Sequence, residues 1–470
     1  MNRSFVYYVA PSLIQAVFGI FVMVPLTTYY LEPADIGLVA LLIAIVMPLD
    51  PLTNPGDSWV LSGNWQRTDE VERKVLVFNV LATNAALKVM AALVCWIASS
   101  AFLPLIVKGY RPEYQTYFGL ILAGFVLSAL WPTISHIMVL EEAALPNSVM
   151  DSVQWLAGAA VTIAGLAWFQ WGVLAMFLSP IAAGVASTIM GLLYVRSRMT
   201  PRFSRQWIGE IARKGTPAIP FSLVAVLSNS VDRIALQRWY DLSTVGFYAH
   251  SQSYRSIFVT GTKAYVKTVT PLFVSLFGGD PARCEELHIR MSVWYAALTV
   301  WGVVLTLFSN EVVHVLTHGK FDAAGPLVPI WFLLALCHSV GVPFTQFLLQ
   351  VGQNALMSYA STAVMLASTV LVILMIRYFG MFGGAVAIIA GAFGLNLVRL
   401  SLARRHGYTG GLDRRFLRAV SVIGTCYFLN MFWPIPLPLK LVAAATVIVV
   451  WLWFLVGYGR TLSPLPTSSE

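Results

Sequence analysis

The chain has 470 residues, of which 58% are hydrophobic and only 11% are charged, and its mean hydropathy is +0.75. A soluble protein of this size could not hide so much apolar surface, and runs of about 20 apolar residues, each long enough to cross a bilayer as a helix, recur along the chain. The four cysteines are scattered and indicate neither a disulfide framework nor a metal site. The sequence therefore predicts an all-α polytopic membrane protein.

The apolar runs predict about fourteen membrane-spanning helices. We place them at 5–30, 36–62, 75–100, 116–140, 148–169, 173–195, 217–239, 245–276, 290–310, 326–350, 357–378, 383–403, 416–433 and 439–457. An even number puts both termini on one side, where the termini, loops and adjoining span ends carry 19 Lys and Arg residues against six on the other side. Positive residues favour the cytoplasmic side, so we expect cytoplasmic N and C termini. The net charge of +9 mostly reflects this topology, and no nucleic-acid partner is expected.

The longest predicted cytoplasmic connection divides the chain after the sixth span. Within it, Phe203, Trp207 and Ile211 recur every four residues, which predicts a short amphipathic helix on the inner membrane face. The predicted domains are a first lobe of six helices at 1–195, a cytoplasmic amphipathic linker at 196–216, a second lobe at 217–405, and two additional helices with a C-terminal tail at 406–470.

An internal repeat relates the two lobes. A shift of 209 residues, ungapped over about thirty positions, places like residues on one another. The matched pairs are Pro11 and Pro220, Ala16 and Ala225, Val17 and Val226, Tyr30 and Trp239, Glu32 and Asp241, Ile36 and Val245, Gly37 and Gly246, and Ala40 and Ala249. Both copies begin on the inner side, so the repeat is parallel. Two six-helix lobes around a central cavity are a common transporter plan.

The second span is irregular at membrane depth. Pro48, Pro51 and Pro55 cannot all lie in an undisturbed helix. The repeat aligns Asn54 of this segment with Lys263 of the eighth span. Irregular backbone inside a membrane is tolerated where it lines protein or water. We therefore expect one shared cavity between spans 2 and 8.

Positive side chains inside the predicted spans indicate an anionic cargo. A charge at bilayer depth survives where it faces a cavity or a partner, and Arg binds phosphate through two parallel hydrogen bonds. Arg255 is a candidate phosphate ligand, or else a structural partner of Asp232. Lys88 either lines the cavity or neutralises a nearby Asp, and Lys267 either contacts cargo or reaches the inner surface. The candidate substrate-binding residues are Arg255, Lys263, Lys267, Lys88 and Asn54.

Three acids are candidates for binding a coupling ion, Na⁺ or H⁺. Asp50 and Asp57 are seven residues apart and share a helical face, so they form either a cation site or a charge balance for Lys88. Asp232 of the seventh span is the third candidate. No other cofactor is expected. The sequence contains no nucleophile–base set and no phosphate-binding loop, so we do not expect an enzyme.

Two stretches carry a family resemblance. Leu31-Glu-Pro-Ala-Asp-Ile-Gly37 is similar to the turn after the first span of polysaccharide flippases, and Ser228-Asn-Ser-Val-Asp-Arg233 with Val245-Gly-Phe-Tyr-Ala249 is similar to the matching turn of their second half. The chain thus resembles the multidrug/oligosaccharidyl-lipid/polysaccharide (MOP) exporter superfamily, in particular the polysaccharide and O-antigen (Wzx-type) flippases, which are related to the lipid II flippase.

The resemblance implies a V-shaped pair of lobes in a bacterial inner membrane. Its implied cargo is an undecaprenyl-pyrophosphate-linked oligosaccharide, flipped outward by alternating access through a cationic cavity for surface polysaccharide assembly. The implied partners are this cargo, membrane lipids, a polysaccharide polymerase and a chain-length regulator. Asp232 is also the ion-site candidate by resemblance, although the eleventh span lacks the acid of the lipid II flippase sodium site.

Two alternatives remain at this stage. A MATE-like antiporter of drugs or other small molecules would need an acidic cavity for organic cations, whereas the predicted cavity is basic. A membrane polysaccharide polymerase or ligase would need a large outer loop with catalytic groups, whereas the longest outer segments are about fifteen residues.

Overall fold

The computed structural model describes most of the chain. The described residues are 11, 13–55, 60–65, 67–216, 219–256, 258–259, 262, 281–408, 414–432 and 435–459. Every regular element in this part of the chain is a helix, so the predicted all-α class is confirmed. The described residues divide into two compact units, one within 1–250, 316–320 and 365–384, and one within 251–315, 321–364 and 385–470. The predicted domain boundaries stay predictions.

Unit 1 contains the helices of the N-terminal half. They are a π-helix at Gly19–Met23 and α-helices at Val24–Tyr30, Pro33–Val46, Leu49–Thr53, Ser62–Asn64, Glu70–Ile106, Glu113–Leu127, Trp131–Leu140, Ala144–Ala167, Leu174–Val195, Arg205–Gly215, Ile219–Ser228, Val231–Trp239 and Leu242–Ser253, the last ending in unit 2. A core cluster of fifteen buried side chains, from Val60 to Ile211, joins several of these helices.

Unit 2 contains most of the later helices. They are Pro281–Thr317, a 3-10 helix at Asp322–Leu327, and α-helices at Val328–Val340, Val342–Gln350, Asn354–Arg405, Arg414–Phe432 and Leu437–Gly459. Ile423 of the predicted thirteenth span is fully buried in the core of this unit. Lys440 of the predicted fourteenth span is ion-paired to Glu311 at 2.6 Å. Both additional spans are therefore attached to the Pro281–Thr317 helix.

Nine helices among the described residues are long and apolar enough to cross a membrane. The ninth, Leu356–Arg405, bends at Gly380, whose φ of 60° and ψ of −145° are not helical. This bend lies between the eleventh and twelfth predicted spans. The seventh predicted span is divided at Asn229–Ser230 into two helices. The multi-pass architecture is confirmed, whereas the count of fourteen spans stays a prediction.

The two predicted repeat copies begin with the same local structure. Pro33–Val46 starts after Glu32, whose side chain caps the backbone of Asp35. At the positions 209 residues later, Asp241 Oδ1 accepts the backbone N–H of Thr244 at 2.7 Å at the start of Leu242–Ser253. A side-chain acceptor at this position satisfies an otherwise unpaired helix N–H. Glu32 and Asp241, which are equivalent in the repeat, therefore both cap the start of a helix.

The amphipathic helix of the connecting segment occurs at Arg205–Gly215. Its apolar face packs on protein, because Trp207 and Ile211 are buried with Val60, Leu76 and other side chains of the unit 1 core. The Trp207 indole N–H donates to Glu72 at 2.7 Å. Phe203 remains exposed. The expectation that Trp207 and Ile211 contact the membrane is thus replaced by intramolecular packing, and the cytoplasmic location of the segment stays a prediction.

Candidate functional site: buried ions of the two units

Lys88 and Asp50 form an ion pair inside unit 1. The Lys88 ammonium lies 3.0 Å from Asp50 Oδ1, and the side chains are 2% and 56% exposed, respectively. The ammonium also lies 4.6 Å from the centre of the Phe125 ring, a favourable cation–π distance. Asp50 is one of the two partners that the sequence offered Lys88, and Asp57, the other, lies outside the described residues. The predicted cargo contact of Lys88 and the predicted coupling role of Asp50 stay predictions.

Asn54 binds the same oxygen as Lys88. Its Nδ2 donates to Asp50 Oδ1 at 2.8 Å. The Leu49–Thr53 helix ends just before it, and the Asn54 backbone has a non-helical φ of −123° and ψ of 52°. The irregularity predicted from the prolines therefore occurs, and it turns the Asn54 amide toward the carboxylate. Asp57 lies outside the described residues, and its candidate coupling role stays a prediction.

Asp232 is 1% exposed at the start of the Val231–Trp239 helix. Its Oδ1 accepts the backbone N–H of Arg233 at 2.8 Å, and a carboxylate in the first turn is stabilised by the helix dipole. The Arg233 guanidinium donates to the Asn229 carbonyl at 3.3 Å. Asp232 is thus a buried acid with a local structural role, and its candidate coupling role stays a prediction.

A cationic group in unit 2 consists of Arg255 and Arg399, which both lie near His338. Arg255 is partly buried, and the charges of Arg255 and Arg399 both act on His338. Arg399 Nη2 lies 3.5 Å from Ser361 Oγ, and its buried Nε has no hydrogen-bond partner in the described part of the chain. Lys263 and Lys267 lie outside the described residues, so their predicted cargo contacts stay predictions.

Arg399 and His338 were not predicted as site residues from the sequence. Arg399 was counted with the cytoplasmic segments, although it lies within the predicted span 383–403. That position inside a span was the available signal. His338 also lies inside a predicted span, but a single His in an apolar run more often fills a core than binds a ligand. Only the folded chain shows that Arg255 and Arg399 both lie near His338.

A cavity in unit 1 was also not predicted. It has a volume of about 460 Å³ and is lined by residues of the first, fifth and sixth predicted spans, including Gln15, Asp151, Gln154, Thr162 and Ser179. A second cavity, of about 490 Å³, lies in unit 2 beside Glu311 and His314. Among the described residues, no group of three or more His, Cys, Asp or Glu side chains is arranged to hold a metal ion.

Comparison with known proteins decides the family. The family described as "Polysaccharide biosynthesis protein" matches residues 29–326, well over half of the chain. The chain belongs to this family. The polysaccharide biosynthesis match includes both stretches that carry the resemblance noted above. A comparison with curated protein sequences finds no significant match.

Solved structures show the fold of this polysaccharide biosynthesis protein. It is similar to the lipid II flippase MurJ in an inward closed conformation, with a TM-score of 0.73 and 11% identity over 97% of this chain and 99% of that chain. It is also similar to an inward-facing MATE family transporter of the MOP superfamily, with a TM-score of 0.57 and 14% identity over 90% and 96%. A Vibrio cholerae MATE transporter, VcmN, in a bent form matches with a TM-score of 0.52 and 12% identity over 89% and 98%.

These findings confirm the resemblance to the MOP exporter superfamily. At such low identities the structural matches establish the fold alone. Family and fold together support a multi-pass membrane flippase or transporter.

Proposed function

We propose that this protein flips an undecaprenyl-pyrophosphate-linked oligosaccharide across the bacterial inner membrane for surface polysaccharide assembly. Alternating access would bring cationic side chains to the pyrophosphate on one side of the membrane and release it on the other. The orientation proposed has both termini in the cytoplasm. Undecaprenyl-linked cargo, membrane lipids, a polysaccharide polymerase and a chain-length regulator are the proposed partners.

The cationic group of unit 2 carries this proposal. Two guanidinium groups, Arg255 and Arg399, act on one His, and an Arg399 N–H donor is buried without a partner in the described part of the chain. Buried donors of this kind are normally satisfied by an acceptor. A pyrophosphate offers several acceptor oxygens for this Arg399 donor and a negative charge that guanidinium groups bind through charge-assisted hydrogen bonds. Organic cations, the cargo of the MATE-like alternative, would be repelled by the same group.

The test is outward flipping in proteoliposomes that contain the purified protein and a lipid-linked oligosaccharide. A glycosidase that cannot cross the membrane reports the sugar that reaches the opposite leaflet. We expect flipping by the wild type and a loss of at least about tenfold in Arg255→Ala and in Arg399→Ala, because each removes a charge-assisted contact worth about 1.5–3 kcal/mol. Lys at either position should restore part of the rate, since an ammonium binds as a point charge.

The control is Arg377→Ala, which removes an exposed Arg from the same Asn354–Arg405 helix. Its flipping rate should stay within about twofold of the wild type, because an exposed charge contributes little. Absence of flipping by well-folded wild-type protein, together with export of a lipophilic organic cation, would replace the proposal with the MATE-like alternative. A newly formed glycosidic bond would instead indicate the polymerase or ligase alternative.

A further inference from the structure

Asp50 Oδ1 is held by two donors from different parts of unit 1. Lys88 Nζ donates to it at 3.0 Å, and Asn54 Nδ2 donates to it at 2.8 Å. The two donors converge on one point in space. An ammonium and an amide that converge on one oxygen form a small anion cradle, and here the anion is the protein's own carboxylate.

The two partners differ sharply in their access to solvent. The Lys88 side chain is 2% exposed, whereas the Asp50 side chain is 56% exposed. Movement of Asp50 would therefore uncover the ammonium from the open side, while the ammonium keeps its contact with the Phe125 ring. An external anion can thus reach the site between the two donors that Asp50 Oδ1 now occupies.

Lys88 requires an anion at this position. Among the described residues, Asp50 is the one acid within ion-pairing distance of Lys88. The Ile219–Ser228 helix, which also packs on the Leu49–Thr53 helix, has no ionisable side chain. A buried ammonium left without a partner costs several kcal/mol. Asp50 can therefore leave Lys88 without a large loss of stability only when another anion takes its place.

We propose that Lys88 and Asn54 form a phosphate-binding site that Asp50 occupies in the empty protein and that a phosphate group of the cargo occupies during transport. A phosphate oxygen takes the place of Asp50 Oδ1 and accepts from the same two donors. The released carboxylate turns to water, so the charge paired with Lys88 is preserved in both states. This inference rests on the proposed anionic cargo. It adds that the Asp50 carboxylate competes with the cargo phosphate for the same two donors.

Competition with Asp50 lowers the affinity of the site for external phosphate. If the state with Asp50 released is populated at about 10%, the apparent affinity falls about tenfold. Removal of the carboxylate removes this competition. It also leaves Lys88 unpaired, so the variant should lose stability until an anion is supplied.

The experiment uses the full chain in nanodiscs, with inorganic pyrophosphate as the probe. Asp50→Asn, which keeps the shape of the side chain, should bind pyrophosphate about tenfold more tightly than the wild type. Asp50→Ala should melt at a lower temperature than the wild type, and pyrophosphate should restore most of that loss. Lys88→Met and the double variant with Asp50→Ala should show neither effect.

Glu311→Ala is the matched control, because its partner Lys440 is similarly buried: the two side chains are 40% and 5% exposed, respectively. The carboxylate of Glu311 has one described donor, Lys440, and no amide converges on it. Its loss of stability should not be restored by pyrophosphate. Equal restoration in both variants would overturn the proposal, and so would wild-type affinity in Asp50→Asn or failure of pyrophosphate to stabilise Asp50→Ala.

The flipping assay separates this inference from the proposed function. Flipping by the wild type without the pyrophosphate effects in the Asp50 variants would refute the Asp50 exchange and leave the proposed function in place. Pyrophosphate effects at Asp50 without flipping of the lipid-linked oligosaccharide would refute the proposed cargo and leave the anion site in place.

Discussion

Gly37 and Gly246 pack against each other through backbone atoms. A Cβ on Gly37 would overlap the carbonyl oxygen of Leu242, and a Cβ on Gly246 would overlap the carbonyl oxygen of Pro33. Pro33 and Leu242 are themselves 209 residues apart, so the contact is reciprocal between the two repeat copies. A contact in which each copy offers the same surface has local two-fold symmetry. Residues that the 209-residue shift matches in the sequence thus occupy equivalent positions in the structure.

Gly37→Ala and Gly246→Ala should each destabilise the protein by about 1–3 kcal/mol, as other overpacked contacts do. The overlap involves backbone atoms, which cannot rotate away as a side chain can. The measurement is the melting temperature in detergent. Gly209→Ala is the control, because nothing lies within 4 Å of a Cβ at that helical position. An unchanged melting temperature in both Gly37→Ala and Gly246→Ala would show that the two helix starts can move apart without loss of stability.

Reporter fusions at Gly215 and at Thr409 should both give a cytoplasmic signal. This expectation follows from the excess of positive residues in the segments that contain them. A fusion at Lys108, on the opposite predicted side, serves as the control and should give a periplasmic signal. A periplasmic signal at Gly215 and Thr409 would contradict the predicted topology and the parallel orientation of the repeat.

Trp207→Ala should destabilise unit 1 by about 3–5 kcal/mol, the usual cost of removing a buried Trp. The change removes a side chain that is 4% exposed and its hydrogen bond to Glu72. Ile208→Ala, on the exposed side of the same helix, should change the melting temperature little. If Trp207 contacted lipid instead, its variant would weaken membrane binding of the isolated segment without lowering the melting temperature.

Asp232→Asn should lower thermal stability while leaving any Na⁺ or H⁺ dependence of flipping intact. The acid is buried and accepts a backbone N–H in the first turn of its helix, and Asn keeps the acceptor but loses the charge that the helix dipole stabilises. Cargo affinity, melting temperature and ion-dependent flipping would be measured on one preparation. Retained stability with lost ion dependence would assign Asp232 to the coupling site instead.

The sequence predicted some site residues well and others poorly. Lys88 was recognised because it lies about thirteen residues from either end of its predicted span, and a charge at that depth needs a partner. Its choice of Asp50 could not be predicted, because it depends on how the Leu49–Thr53 segment packs on the Glu70–Ile106 helix. Arg399 was missed because a cation near a span end resembles an ordinary loop residue.

The sequence by itself determined the helical class, the multi-pass character and the repeat. Each of these follows from local composition or from periodicity. The tertiary structure alone decided that Gly37 meets Gly246, that Trp207 is buried in protein, and that Lys88 and Asn54 share one oxygen of Asp50. These contacts depend on which helix faces pack together, and an apolar helix in a membrane offers several faces of nearly equal hydrophobicity.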